Sequence, residues 1–166
     1  SSLTTIEAGA FRGCKELTSV TFPATASLST IGEHAFRRCT GLTSVTFPEG
    51  LTTIEASAFR DCTGLTAITF PDSLTTIVNG TFLGFTHTDG AFEGCTNLKC
   101  LIVPPSFLDE GTPYWQERGI NNDKTEVITQ KKLQDFQESH NIEENTSTRE
   151  IKTLYLAQQK LIPLPG

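Results

Sequence analysis

Residues 51–71 read LTTIEASAFRDCTGLTAITFP, and the same pattern recurs along the chain. Residues 28–48 are LSTIGEHAFRRCTGLTSVTFP and residues 3–23 are LTTIEAGAFRGCKELTSVTFP. A fourth copy opens with LTTI at Leu74, is interrupted, and resumes at Ala91 as AFEGCTNLKCLIVP. The first leucines fall at 3, 28, 51 and 74, in steps of 25, 23 and 23 residues. A period in the twenties with apolar residues at fixed offsets constrains the fold to a solenoid. One such unit cannot bury its own hydrophobic face, and stacking on identical neighbours does it instead.

Two apolar phases make up each unit. In LTSVTFP, Leu17, Val20 and Phe22 point one way with Thr18, Ser19 and Thr21 between them, the alternation of a short strand rich in β-branched residues. Pro23, Pro48, Pro71 and Pro104 follow these strands; a proline cannot donate to a ladder and ends it. LxxI then brings Leu51 and Ile54 inward, and AFxxC supplies Ala58, Phe59 and Cys62 at offsets that suit a helical or 3₁₀ turn. One strand per coil, stacked in register, predicts an α/β solenoid with a parallel sheet whose hydrogen bonds run from coil to coil.

The motif AFxxCxxLxxVxFPxxLxxI resembles the BspA-type leucine-rich repeats of bacterial surface proteins and some protists, over four copies in residues 3–104. The resemblance implies a leucine-rich repeat whose strands line a concave sheet and whose AFxxC turns form the convex side. It implies binding of protein ligands, often host or matrix proteins, with no catalytic residue in the repeat.

If the strands line the concave side, residues alternating with the inward Val20, Val45, Ile68 and Leu101 face a partner. They form three rows: Ser19, Ser44, Ala67 and Cys100; Thr21, Thr46, Thr69 and Ile102; Thr18, Thr43, Thr66 and Lys99. This hydroxyl-rich, almost uncharged strip is the candidate partner-binding surface; a threonine ladder also simply keeps a sheet regular and soluble. It has no aromatic anchor, so four coils alone predict weak affinity.

The pattern breaks in two places. Two extra residues lie in the first junction, and from Phe59 to Phe92 is 33 residues where 23 are expected. The extra length lies within 78–90, VNGTFLGFTHTDG, whose Phe82, Phe85 and His87 are candidate loop contacts. Surface loops accept such insertions at small entropic cost, and they are also where repeat proteins place function.

Cys14, Cys39, Cys62 and Cys95 share one repeat position, three residues after the Phe and three before the Leu. Equivalent residues on neighbouring coils lie about 4.7–4.9 Å apart with parallel side chains. A disulfide prefers Cβ atoms about 3.8 Å apart and converging. These cysteines therefore read as buried free thiols acting as small apolar fillers. A row that runs along the axis does not converge on a metal. Cys100 should face outward from the strand. With His34, His87 and His140 scattered, no base is placed to activate a nucleophile, and neither catalysis nor a cofactor is expected.

After Pro104 and Pro105 the repeat stops, which sets the expected boundary between a solenoid (1–104) and a C-terminal cap with a two-helix extension (105–166). Phe107, Leu108, Tyr114 and Trp115 are placed to cover the last coil's core, or else to form an aromatic binding site. Leu133 and Phe136 mark a first helix over 129–139; Ser147 and Glu150 form a capping box for a second, with Ile151, Leu154 and Tyr155 as its apolar stripe. The terminal LIPLPG cannot stay helical. Two glycosylation sequons, at Asn79 and Asn145, are short enough to occur by chance.

Charge narrows the function further. The net charge of −6 is spread evenly, with 6 Lys/Arg against 9 Asp/Glu in residues 1–104 and 7 against 10 in residues 105–166. Neither part has the basic stripe of a nucleic-acid binder, and no apolar run is long enough to insert in a membrane. The chain has no Met and starts in repeat register, so further repeats or a leader upstream are expected. The expectation is a non-catalytic protein-binding module of an adhesion protein, extracellular or at the cell surface. The alternative is the recognition part of a bacterial effector that acts inside a host cell.

Overall fold

The computed structural model describes residues 2–78, 90–107, 116–120 and 124–163. Each coil contributes two short strands rather than the expected one. The TI of LTTI forms β1 (Thr5–Ile6), β3 (Thr30–Ile31), β5 (Thr53–Ile54) and β7 (Thr76–Ile77), a four-stranded parallel sheet in that order. The second strand of each coil gives β2 (Ser19–Thr21), β4 (Ser44–Thr46), β6 (Ala67–Thr69) and β8 (Cys100–Ile102). This second sheet has a fifth member, β9 (Glu126–Ile128), parallel to β8. The boundary expected at 104 thus falls between two adjacent strands of one sheet.

Register follows the repeat. Ser19 pairs Ser44 and Val20 pairs Val45; Ile68 pairs Leu101, which pairs Val127. Inward residues of coils two and three, such as Leu28, Ile31, Phe36, Leu51, Ile54 and Phe59, are fully buried. Phe11, Phe36, Phe59 and Phe92 stack face to face along the axis at 5.2, 5.2 and 5.5 Å. Burial falls off at the first coil, where Leu3 is 60% and Phe11 40% exposed.

Hydrogen bonds tie like position to like position one coil on. Ser29, Thr52 and Thr75 hydroxyls donate to the carbonyls of Thr4, Ser29 and Thr52. The cysteines are more than apolar fillers, because Cys39, Cys62 and Cys95 thiols donate to the carbonyls of Phe11, Phe36 and Phe59 at 3.1, 3.0 and 3.2 Å. Each of those carbonyls also accepts the N–H of its own coil's cysteine. Close approach explains the glycine of CTGL: a Cβ at Gly64 would lie 2.7 Å from the Thr40 carbonyl oxygen.

Two turn positions in each of the first three coils, and one in the fourth, are left-handed. Gly9 and Gly13 fill them in the first coil, His34 and Arg38 in the second, Ser57 and Asp61 in the third, and Gly94 takes the latter position in the fourth. A left-handed conformation costs an L-residue about 1–2 kcal/mol that glycine avoids.

Two helices close the chain. In α1 (Gln130–Ser139) the Thr129 hydroxyl accepts from Lys132 N–H, and in α2 (Thr148–Gln158) Ser147 accepts from Glu150 N–H, the cap that S-x-x-E foretells. Both pack on the outward side of the five-stranded sheet. Leu133, Ile151, Tyr155 and Leu156 cover Cys100, Ile102 and Ile128. Phe107 is buried in the solenoid core, while Leu108, Tyr114 and Trp115 lie outside the described residues.

Candidate functional site

The strip expected to face a partner divides in two. Thr18, Ser19, Thr21, Thr43, Ser44 and Thr46, on the first two coils, are exposed. Thr66, Ala67 and Thr69 are half-buried, and Lys99 is exposed at the strand's start. Cys100 and Ile102 do point away from the core but are buried, not exposed as expected, because α1 and α2 lie on them. Burial pushes the Cys100 thiol up to about 11, with Lys132 pulling slightly the other way. Phe82, Phe85 and His87 lie outside the described residues.

Where the covered and open parts meet, α2 stands as a wall on the sheet and bounds a cleft of about 320 Å³. Its floor holds Ser44, Thr46, Ala67 and Thr69, all candidates from the sequence. Its wall, which the repeat pattern did not foretell, holds Thr148, Arg149, Lys152 and Thr153. Lys152 is buried: its ammonium donates to the Phe70 carbonyl and to Asp72 Oδ1, both at 3.3 Å. That link spans 80 residues and fastens the helix to the turn after β6. Arg149 stays exposed, and Glu49 and Asp72 bring negative charge to the same cleft. The result is a polar, hydroxyl-lined shelf beside a fixed wall.

Four of the five thiols, Cys39, Cys62, Cys95 and Cys100, are held protonated by burial. Burial raises Cys39 and Cys62 above the ordinary thiol range and takes Cys95 to about 12. A thiol held protonated is a poor nucleophile and a poor metal ligand. Among the described residues no group of three His, Cys, Asp or Glu side chains converges as metal ligands, all five cysteines are free, and no helix is long and apolar enough to cross a membrane.

The model of the BspA type leucine rich repeat region matches six copies over residues 1–89. No curated protein matches the chain. Among solved structures, a leucine rich cell surface protein from Faecalibacterium prausnitzii superposes with a TM-score of 0.58 at 27% identity, covering 77% of this chain and 30% of its own. A leucine-rich repeat protein from Bacteroides capillosus is 38% identical over 43% of this chain and 50% of its own, with a TM-score of 0.40. The Treponema (T. pallidum) leucine rich repeat protein is 23% identical over 68% of this chain and 60% of its own, with a TM-score of 0.42. The chain thus spans less than two thirds of each of these proteins.

Proposed function

The chain belongs to the BspA-type leucine-rich repeat family, and on that premise we propose that it is a non-catalytic protein-interaction module that grips a protein ligand on the open strip of its five-stranded sheet. The observation that carries this reading is the junction of exposed hydroxyls on β2 and β4 with the cleft under α2. A partner laid across it meets a flat row of donors and acceptors and a wall that fixes its register. The partner surface comprises Thr18, Ser19, Thr21, Thr43, Ser44 and Thr46, with Thr66, Ala67 and Thr69 in the cleft. Cys100 and Ile102 are left out because the helices already occupy them. The inserted segment with Phe82, Phe85 and His87 is a second contact in this proposal. Residues 1–104 serve as the binding solenoid and residues 105–166 as the part that closes it and builds the wall. The ligand is a host or matrix protein met outside the cell, which accords with the cell-surface description of the Faecalibacterium relative.

Binding of the chain to purified extracellular-matrix proteins, measured by interferometry, tests the proposal. Ser44→Tyr with Thr46→Tyr fills the shelf without changing charge and should abolish a signal that Lys131→Gln on α1 leaves intact. Equal binding by both variants would move the site elsewhere. One observation favours the effector alternative: Cys14 is an exposed free thiol, which suits a reducing compartment better than an oxidising one.

A further inference from the structure

An even distribution of charge along the sequence conceals a local excess in space. Four of the six arginines, Arg12, Arg37, Arg38 and Arg60, stand on the AFxxC turns of three adjacent coils. Arg12, Arg37 and Arg60 occupy the same repeat position, so the coil rise sets them about 4.7–4.9 Å apart along the ridge. Among the described residues, Arg12 and Arg37 have no carboxylate within ion-pairing distance, and the buried Nε of Arg37 has no hydrogen-bond partner. Asp61 pairs with two members of the ridge, at 3.8 Å from Arg38 and 3.9 Å from Arg60. Burial, then Arg60, Arg12 and Arg38, hold the Arg37 guanidinium below its ordinary value, so the arginines feel one another.

Arg38 adds an independent sign. Its φ of 61° lies where the first and fourth coils use Gly13 and Gly94 and the third uses Asp61, the carboxylate that pairs with it. The second coil therefore keeps an arginine, 58% exposed, at a place where glycine relieves strain. Side-by-side like charges and a strained backbone both work against the fold; Asp61 offsets part of the repulsion at Arg38 and Arg60, while Arg12 and Arg37 have no ion pair among the described residues. A residue kept against such costs suggests a function outside the fold.

We propose that the ridge of Arg12, Arg37, Arg38 and Arg60 binds a sulfated polysaccharide, with successive guanidinium groups meeting successive sulfates. Arginine's planar fork suits bidentate contact with such oxyanions, and clustered basic residues are a recurrent heparin-type patch. Ala35, Phe36, Ala58 and Phe59 beside the ridge are fully buried, so it has little of the apolar or aromatic area on which a protein partner depends. Only Phe11, at its outer end, is exposed. Nucleic acid fits less well: successive bases need successive aromatic platforms, and Phe11 is the single one exposed at the ridge among the described residues. The ridge is separate from the hydroxyl strip, so the module would hold a glycan and a protein at once.

A labelled heparin oligosaccharide, titrated against the full chain and followed by anisotropy at several salt concentrations, is the test. The chain should bind, and Arg12→Gln/Arg37→Gln/Arg38→Gln should weaken binding about tenfold or more and lower the salt slope by about one unit per arginine removed. Lys131→Gln/Lys132→Gln on α1 should change neither. Arg38→Gly alone should weaken binding while raising the thermal midpoint, a pairing that damage to the fold cannot produce. The tyrosine-filled shelf variant should bind heparin as the parent does, so this proposal and the protein-binding proposal fail separately. No binding, unchanged binding by the triple variant, or equal loss in the α1 variant would overturn the assignment. Equal affinity for polyglutamate of matched charge would overturn it too, in favour of acidic protein.

Discussion

Truncating Phe59 and Phe11 to alanine should have very different consequences. Phe59 is fully buried, stacked on Phe36 at 5.2 Å and Phe92 at 5.5 Å, with Phe47 edge-on at 5.9 Å. Removing a core phenylalanine costs about 3–5 kcal/mol, and the lost ring pairs, each worth about 0.5–1.5 kcal/mol, put Phe59→Ala near the top of that range. Phe11 stacks on Phe36 alone and is 40% exposed. Part of its burial benefit, about 1.5–3 kcal/mol for a whole side chain, is never gained, so Phe11→Ala should cost only about 1–2 kcal/mol. Urea titration followed by far-UV circular dichroism gives both values as midpoint shifts, provided the slopes agree. Against a total stability of about 5–15 kcal/mol, Phe59→Ala should lose a large share of the folded state. Equal costs for the two would refute a stack that is open at its first coil and closed within.

In native buffer near pH 8 an alkylating reagent should modify Cys14 quickly and Cys39, Cys62, Cys95 and Cys100 slowly, with all five reacting in denaturant; fast modification of Cys62 would contradict its burial. The raised thiol values also give stability a direction in pH. The fold holds these thiols protonated while the unfolded chain ionises near 9, so stability is complete below that value and falls as pH rises toward about 11 for Cys100 and about 12 for Cys95. Denaturant midpoints that stay flat above pH 9 would be inconsistent with it. Arg38→Gly should stabilise by about 0.5–1 kcal/mol, the strain relieved being partly offset by the freer unfolded chain. Asp72→Ala should cost about 1–2 kcal/mol, and more than Lys152→Met, because it leaves a buried ammonium with the Phe70 carbonyl alone while the second change removes the charge altogether. The reverse order in thermal melts would show that Lys152 is not anchored by Asp72.

The architecture was legible because the repeat states it four times. Leu51, Ile54, Phe59, Cys62, Leu65 and Ile68 were read as scaffold from spacing, and all are buried. The four-stranded sheet escaped because its strands are two residues long, too short to show a period. The fifth strand escaped because Glu126–Ile128 lacks the flanking AFxxC and FP signature; only the alternation around Val127 survives. Covering of the fourth coil did leave a trace. The outward rows pass from Ser19 and Ser44 through Ala67 to Cys100, and from Thr21, Thr46 and Thr69 to Ile102. A turn from hydroxyl to apolar on an outward row means that something lies on it. What lies there is set by helices far along the chain, and no local pattern could position Arg149 and Lys152 over the cleft. The arginine ridge was missed for the opposite reason: charge was counted along the chain, whereas its effect depends on the stacking of coils.

The nearest-neighbour bonding of the coils also gives the molecule a mechanical polarity. Among the described residues, the first coil is joined to the second through bonds such as Ser29 to Thr4 and Cys39 to Phe11. The fourth is gripped by β6, by β9 and by the two helices above it. Tension applied at Thr4 would peel coils away singly, each exposing the next as a new end. Tension applied through α2 would load the Lys152 to Asp72 link and the apolar seat beneath it together. A tether that enters at one end and a ligand held near the other would therefore meet two different resistances in one small body.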